Sequence, residues 1–168
     1  PYISVANQRL PVVMCNVNRE ILPPPQVSSS GQDIFLVKDT GWIQIHVESC
    51  QEVLDTIILA YRLAEDPEIL VPVTIAFDGY YLSYFSEAVD IPAQEDVDRF
   101  LPRRPRSPRL APQEPMSMSN WTLGNLLTEY RVKHMAALQR AKTKLEEIEE
   151  EFKQAFGRGY GGQVEEYR

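Results

Sequence analysis

The fold is decided by the stretch Asp39–Ser49, which reads DTGWIQIHVES. Its side chains alternate with the two-residue period of a β-strand, with Ile43, Ile45 and Val47 on one face and Trp42, Gln44 and His46 on the other. The next residues, Ser49-Cys50-Gln51-Glu52, have the S-x-x-E spacing of a capping box, in which two side chains satisfy amides of the first helical turn. The sequence therefore predicts a short strand that leads directly into a helix.

A second strand is predicted after this helix. Apolar side chains recur at helical spacing, at Val53, Leu54, Ile57, Ile58 and Tyr61. Asp66-Pro67 is predicted to end the helix, because proline disfavours a helical conformation in the residue before it. Residues 70–77, LVPVTIAF, form a nearly continuous apolar run, which is typical of a parallel strand covered by helices on both faces. Residues 42–78 are thus predicted to form one β-α-β unit.

Toward the N-terminus, residues 10–17 (LPVVMCNV) predict a further buried strand. Asn16–Glu20 lies at its carboxyl end, and open parallel sheets bind ligands beyond the carboxyl ends of their strands. This end of the strand is therefore a candidate site. Cys15 and Cys50 have no metal-binding spacing and fall inside predicted elements, so we expect buried free thiols in a reducing cytoplasm.

The C-terminal part of the chain is predicted to contain a linker and one long helix. Residues 102–120 carry five prolines and four arginines, a composition that disfavours regular helix and favours extended structure. A helix is predicted from about Leu126 to Phe156, with Gly157 at its C-terminal cap. Its glutamates between 146 and 151 are expected to face solvent. Its predicted apolar stripe is Leu138, Ala141, Leu145, Ile148, Phe152 and Ala155.

Composition and charge argue against several classes of partner. The chain has 168 residues, enough for one domain core, and its net charge of −7 argues against nucleic acid. No apolar run reaches the roughly 18 residues of a membrane span. No Ser/His/Asp order, Gly-rich phosphate loop or metal-spaced cluster occurs, and His46 and His134 are expected to be structural or exposed. The chain is thus expected to carry no complete catalytic apparatus of its own.

A series of short motifs resembles one enzyme family, and their order and spacing are together specific. The motifs are DTGWIQ at 39–44, QE at 51–52, LD at 54–55, VPV at 71–73, DG at 78–79 with Ser83, VDIP at 89–92, QE at 94–95, VD at 97–98, FLP at 100–102, FGR at 156–158, YGG at 160–162 and VEEYR at 164–168. In these motifs the chain resembles the α subunit of the 2-oxoacid:ferredoxin oxidoreductases, and most closely the pyruvate branch of that family.

The resemblance implies an α/β fold in three parts. Residues 1–101 would be the later half of the pyrimidine-binding domain of a thiamine-diphosphate enzyme, a transketolase-like parallel sheet with flanking helices. Residues 102–120 would be a Pro/Arg-rich linker, and residues 121–168 a long helix and an inter-domain segment. The earlier half of the domain, with the glutamate that activates thiamine diphosphate in the family, is expected upstream of Pro1.

The resemblance also implies an activity and its cofactors. The activity would be the oxidative decarboxylation of pyruvate with coenzyme A, which yields acetyl-CoA and CO₂ and reduces ferredoxin in the cytoplasm. Thiamine diphosphate with Mg²⁺ would be shared with the β subunit, and 4Fe–4S clusters would lie in other subunits or domains. This segment would bind neither cofactor wholly and would be inactive alone. The expected partners are the β and iron–sulfur subunits, ferredoxin and coenzyme A, with no nucleic acid and no membrane.

Arg19 is the candidate substrate-binding residue, because it lies at the position of the family's arginine that binds the substrate carboxylate. A guanidinium is always charged and offers two parallel donors to a carboxylate. Asp78-Gly79 is instead interpreted as a tight strand-exit turn, for which Gly79 is suited because glycine tolerates positive φ. No catalytic residue and no metal ligand are predicted in this segment, and its cofactor-binding residues stay unassigned.

Two positions depart from the family's pattern. Ser30-Gly31 stands where relatives have Asp-His before Asp33, and Ser83-Tyr84 stands where relatives have Ser-His. These changes leave another 2-oxoacid open as the substrate. A non-catalytic interaction module derived from this subunit is the remaining alternative. An uninterrupted upstream coding frame would favour the enzyme, and a start codon at this point would favour the module.

Overall fold

The computed structural model describes residues 2–28, 30–101, 103, 111–117, 121–122 and 124–164. The predicted linker at 102–120 falls mostly outside these residues, so its extended form stays a prediction. A 3₁₀ turn at Lys38–Thr40 precedes the second strand. The helices and strands are, in order, α1 (Tyr2–Asn7), β1 (Val13–Asn18), α2 (Gln32–Leu36), β2 (Ile43–Val47), α3 (Cys50–Ala64), β3 (Val73–Asp78), α4 (Gln94–Phe100) and α5 (Leu127–Phe156).

The three strands form one parallel sheet in the order β1-β3-β2. The central strand is β3, and residues 73–76 within it are buried, as its apolar run predicted. The predicted β-α-β unit is confirmed, since α3 connects β2 to β3 and the two strands pair in parallel. Because the strands run in one direction, their carboxyl ends meet at one edge of the sheet, where Asn18 lies opposite Asp78.

The alternation along β2 separates two packing surfaces, as predicted. On one face, the rings of Trp42 and Tyr2 stack with their centres 4.2 Å apart, and Trp42 Nε1 donates to the Tyr2 carbonyl at 2.8 Å. On the same face, His46 stacks on Phe35 of α2 with the ring centres 5.6 Å apart. The opposite face carries Ile43, Ile45 and Val47 into the hydrophobic core. One strand therefore packs against α1 and α2 on one side and the core on the other.

Helix α3 begins with the predicted capping box, except that the Glu52 side chain bonds to the amide one residue before the expected one. The Ser49 hydroxyl accepts from the Glu52 amide at 3.2 Å, and Glu52 Oε2 accepts from the amide of Glu48, the residue before the cap, at 2.7 Å. The predicted apolar stripe is partly wrong, because Tyr61 is 41% exposed. Helix α3 contacts both β3 and α5, so its inward surface is turned to include Glu52, Asp55, Thr56, Leu59 and Leu63.

Ser49→Ala is expected to lower the free energy of unfolding by about 1 kcal/mol, because the Glu52 amide would lose the oxygen that caps it. Ser49→Asp is the control, since an aspartate oxygen can accept the same hydrogen bond and favours the positive end of the helix dipole. Urea unfolding of the chain measures both variants. Equal stability of the alanine variant and the wild type would show that the cap contributes nothing.

One hydrophobic core joins the sheet to α3, α4 and α5. Helix α5 lies where it was predicted, and Gly157 at its end has the left-handed conformation, with φ 72°. The prediction for Ala155 is wrong: this residue is exposed, and Phe156 contacts the core instead, because Phe100 of α4 packs beside it. The core includes Leu59, Leu63, Val73, Ile75, Phe100, Ala137, Ala141, Ile148 and Phe152.

The glutamates of α5 face solvent except at Glu149, which is half-buried. Burial first, and the charge of Glu146 second, raise the pKa of Glu149. In the ranges that the structure describes, no helix combines the length and the apolar character needed to cross a membrane.

The expected burial of β1 and of both cysteines is wrong. Within the described residues β1 pairs with β3 alone, so it lies at an edge of the sheet. Cys15 is exposed and Val17 is 39% exposed, whereas Cys50 is half-buried in the first turn of α3. The apolar composition of β1 predicted a strand correctly but did not predict which strands would flank it.

Candidate functional site

The candidate site lies at the carboxyl edge of the sheet, where β1 and β3 end side by side. Arg19 follows β1 directly, and Gly79 follows β3 directly. The register places Asn18 opposite Asp78, so the two chain segments leave the sheet as neighbours. Parallel α/β sheets bind ligands at this edge, as the sequence analysis expected for residues 16–20.

Two contacts hold the guanidinium of Arg19. Its Nη1 donates to the carbonyl oxygen of Val27, and its Cζ lies 5.2 Å from the centre of the Tyr84 ring. Among the described residues, no carboxylate pairs with Arg19, and its Nε and Nη2 have no hydrogen-bond partner. Nε and Nη2 therefore keep unused donors, which form the two-donor arrangement that suits a carboxylate.

Gly79 is required at this edge by close approach rather than by an unusual backbone angle. A Cβ at this position would lie 2.0 Å from the Asn18 carbonyl oxygen and 2.9 Å from both Cδ and Nε of Arg19. Gly79 is not among the glycines in the left-handed region, so its tolerance of positive φ is not what requires a glycine here. A side chain here would collide with the backbone of β1 and would crowd the Nε of Arg19.

A row of polar side chains runs beside Arg19 and is satisfied internally. Asn16 Nδ2 donates to Asn18 Oδ1 at 2.7 Å and to Asp33 Oδ2 at 3.1 Å. The other oxygen of Asp33 accepts from the Ile34 amide at 2.8 Å. Asp33 therefore faces Asn16 and its own helix, and Arg19 keeps its positive charge uncompensated by this carboxylate.

An aromatic loop, residues 79–85, covers the other side of Arg19. Asp78 Oδ1 fixes the start of the loop by accepting from the amides of Tyr80 and Tyr81, at 2.7 and 2.5 Å. The structure thus supports the interpretation of Asp78 as part of a strand-exit turn. Tyr80 packs edge-to-face against Tyr84, with ring centres 5.6 Å apart, and Tyr84 is 59% exposed. The loop places this ring against Arg19.

A network of ion pairs and hydrogen bonds around the buried Asp55, the Asp55 cluster, was not predicted from the sequence. It is formed by Gln51, Asp55, Asp90, Arg158 and Tyr160. Asp55 is fully buried, and Arg158 binds it with two hydrogen bonds, from Nε at 2.7 Å and from Nη2 at 3.0 Å. The Tyr160 hydroxyl donates to Asp55 at 2.6 Å, and Gln51 Nε2 donates to it at 3.1 Å. Arg158 Nη1 also contacts Asp90 at 2.6 Å.

This cluster fixes the segment after α5 to α3. The bonds to Asp55 raise the pKa of Arg158, and burial followed by the bond to Asp55 raises the pKa of Tyr160, so the arginine stays charged and the tyrosine stays a donor. All five residues belong to the motifs that carried the family resemblance, so the sequence marked them as a group. Their contact could not be predicted, because Arg158 and Asp55 are 103 positions apart.

A second concave surface lies away from Arg19. It is a groove of about 730 Å³ between β2 and α5, lined by apolar residues such as Ile45 and Leu138 and by polar ones such as Glu48 and Lys142. Arg19 is not among the residues that line this groove. The carboxyl edge of the sheet is the better candidate site because Arg19 lies there with no carboxylate partner among the residues that the structure describes.

The described residues contain no cluster of side chains that could hold a metal ion. No group of three or more His, Cys, Asp or Glu side chains in the described ranges could hold a metal. The two histidines lie apart: His46 stacks on Phe35, and His134 Nε2 lies 2.9 Å from the Gly41 carbonyl oxygen. The described residues therefore show no metal site, whereas Arg19 has two guanidinium nitrogens without a hydrogen-bond partner among them.

Comparison with known proteins gives one consistent result. The family described as pyruvate flavodoxin/ferredoxin oxidoreductase, thiamine-diphosphate-binding, matches residues 2–150. The pyruvate synthase subunit PorA of Methanothermobacter thermautotrophicus is 42% identical over 165 residues, which cover 98% of this chain and 43% of that protein. The α subunit of the NADH-dependent phenylglyoxylate dehydrogenase of Aromatoleum evansii is 35% identical over 176 residues, covering 100% of this chain and 42% of that protein. The chain therefore spans less than half the length of these relatives.

Proposed function

The chain belongs to the pyruvate flavodoxin/ferredoxin oxidoreductase family, in its thiamine-diphosphate-binding part, and we propose that it contributes the substrate-carboxylate site of an enzyme that oxidises a 2-oxoacid. Pyruvate is the proposed substrate, because the relatives include several pyruvate synthase subunits. The proposed reaction is oxidative decarboxylation with coenzyme A to acetyl-CoA and CO₂, with ferredoxin as the electron acceptor.

The observation that carries this proposal is the state of Arg19. A cation at the carboxyl edge of a parallel sheet would ordinarily be neutralised by a carboxylate, and in the described part of the chain Arg19 is not. Its Nη1 is anchored on the Val27 carbonyl, which leaves Nε and Nη2 to donate in parallel to both oxygens of a substrate carboxylate. Binding at that group would orient the neighbouring oxo carbon relative to the edge of the sheet.

The cofactors and partners follow from the same proposal. Thiamine diphosphate with Mg²⁺ would supply the carbanion chemistry and would be shared with the β subunit, and the described residues contain no cluster that could hold the Mg²⁺ alone. The β subunit, iron–sulfur subunits with 4Fe–4S clusters, ferredoxin and coenzyme A remain proposed partners. The division at residues 1–101, 102–120 and 121–168 and a cytoplasmic location stay predictions.

An aryl-substituted 2-oxoacid is the second candidate substrate. The aromatic loop favours it, because exposed rings such as Tyr84 and Phe85 offer apolar surface in the loop that contacts Arg19. One relative, the phenylglyoxylate dehydrogenase subunit, carries such a compound in its name. The ratio of kcat/KM for pyruvate to that for phenylglyoxylate decides between the two candidates.

A non-catalytic interaction module is the remaining alternative. If it were correct, substitution of Arg19 would not change the rate of oxidation of any 2-oxoacid.

Arg19→Ala is expected to lower kcat/KM for pyruvate by roughly 30- to 1000-fold, which corresponds to about 2–4 kcal/mol for the loss of two charge-assisted hydrogen bonds to an anion. Arg19→Lys is not expected to restore activity, because one ammonium group cannot reproduce two parallel donors. The measurement is steady-state oxidation of pyruvate by the enzyme reconstituted from all of its subunits.

The control is Arg99→Ala, which removes an exposed arginine whose ion pair is with Asp96 on the same helix. This variant and the wild type should have the same kcat/KM for pyruvate. The KM for coenzyme A should be unchanged in every variant, because Arg19 is proposed to contact only the oxoacid. An Arg19→Ala enzyme within threefold of the wild type would mean that Arg19 is an ordinary loop residue, and the proposal would fail.

A further inference from the structure

We infer that Tyr84 is a positioning residue for Arg19: its ring holds the guanidinium so that the Nε and Nη2 side remains open to the oxoacid carboxylate. This inference rests on the proposed function, because it assigns a role to a residue that acts through Arg19. Tyr84 stands at a position where the sequence departs from the family's usual pattern, so the family resemblance alone assigns it no role.

The contact between Tyr84 and Arg19 stabilises the cation without consuming its donors. Arg19 Cζ lies 5.2 Å from the centre of the Tyr84 ring, within the distance at which the negative face of an aromatic ring attracts a cation. A carboxylate in that place would occupy two N–H groups and neutralise the charge. The ring leaves both the charge and the N–H groups of Nε and Nη2 for a ligand, and an anion site needs both.

The position of the Tyr84 ring is itself imposed by the fold. The Tyr84 amide donates to the Tyr80 carbonyl at 3.2 Å, and the Tyr80 ring packs edge-to-face against the Tyr84 ring. Ser83 Oγ donates to the Gly79 carbonyl at 2.7 Å and closes the turn further. Because Asp78 anchors this loop at the end of β3, the ring is tied to the strand that pairs with β1 and therefore to Arg19.

The face of the ring, rather than its hydroxyl, makes the described contact. In the part of the chain that the structure describes, the Tyr84 hydroxyl has no hydrogen-bond partner, and the side chain is largely exposed. Phenylalanine would present the same aromatic face to Arg19, whereas leucine would occupy a similar volume without it. This difference separates an electrostatic role of the ring from a steric one.

The test compares Tyr84→Phe, Tyr84→Leu and Tyr84→Ala in the enzyme reconstituted from all of its subunits. Tyr84→Leu and Tyr84→Ala are expected to raise the KM for pyruvate by about 2- to 5-fold, the factor expected for a cation–π contact at an exposed ring. Tyr84→Phe should restore a KM close to that of the wild type. The KM for coenzyme A should not change. Tyr61→Ala, which removes an exposed tyrosine on α3, is the matched control and should behave as the wild type.

A double-mutant cycle shows whether Tyr84 acts through Arg19. In an Arg19→Ala background, Tyr84→Leu should have no further effect on the KM for pyruvate, because the group that the ring positions is gone. Additive losses, or a Tyr84→Phe variant as impaired as Tyr84→Leu, would overturn the positioning role while leaving Arg19 as the substrate residue. An Arg19→Ala enzyme with near-normal kinetics would instead overturn the proposed function, and the positioning role with it.

Discussion

Arg158→Met is expected to lower the free energy of unfolding of the chain by about 3–5 kcal/mol, the range found when one partner of a buried ion pair is removed. Asp55 is fully buried, and Arg158 supplies two of its hydrogen bonds and its counter-charge. Only the Tyr160 hydroxyl and the Gln51 amide would remain as partners, and neither carries a positive charge. Urea unfolding followed by the fluorescence of the buried Trp42 measures the loss.

The matched control is Arg99→Met, because the same substitution there breaks an exposed ion pair with Asp96. Such pairs contribute about 0–1 kcal/mol, so this variant should unfold near the wild-type midpoint. Adding Asp55→Leu to Arg158→Met should recover part of the stability, since it removes the buried charge that the first substitution left unpaired. Equal losses in Arg158→Met and Arg99→Met would show that the Asp55 cluster does not determine stability.

Phe152→Ala is also expected to cost about 3–5 kcal/mol, because it would leave a cavity where α3, α4 and α5 share one core. Phe152 is 1% exposed, and its ring centre lies 5.5 Å from that of Phe100 and 4.5 Å from that of Phe156. Loss of the central ring removes packing from both neighbours and loosens α4 from α5. Thermal unfolding and urea unfolding of the chain both measure the change in the free energy of unfolding.

Two further variants separate the cavity from a general effect of substitution in α5. Tyr130→Ala removes an aromatic side chain from the same helix, but Tyr130 is 42% exposed, so the loss should be below about 1 kcal/mol. Phe152→Leu keeps most of the apolar volume and should cost less than Phe152→Ala. If Phe152→Ala were no less stable than Tyr130→Ala, the core around Phe152 would be less tightly packed than the ring distances indicate.

Short-range patterns predicted most of the fold, because each depends on neighbours within one or two turns of the chain. The Ser49–Glu52 spacing predicted the start of α3, and the apolar run at 70–77 predicted a strand that is indeed central and buried. Gly157 likewise marked the end of α5. The errors fall where burial depends on distant partners. Tyr61 and Ala155 have the apolar character of core residues, but both are exposed, because the sheet and the other helices pack against different faces of α3 and α5.

The candidate site shows the same division between local and distant information. Family resemblance placed Arg19 after β1, but no pattern in the sequence indicated that Tyr84 and the Val27 carbonyl would hold its guanidinium. The sequence indicated a strand-exit turn at Gly79, whereas only the structure shows that a Cβ there would collide with the Asn18 carbonyl oxygen of β1. Contacts of this kind depend on strand register, and a parallel register becomes known only when the strands are paired.

The sequence by itself predicted the three strands, the helices α3 and α5, a parallel sheet and the family that the motifs resemble, but it predicted neither α2 nor α4. These are properties of local backbone preference, hydrophobic period and short motif order, all of which can be read along the chain. Only the tertiary structure decided that β1 lies at an edge, that Arg19 has an aromatic rather than an acidic neighbour, and that Asp55 meets Arg158 and Tyr160. Burial and ion pairing depend on which distant segments approach in space, and residues more than 100 positions apart leave no periodic signal of their contact.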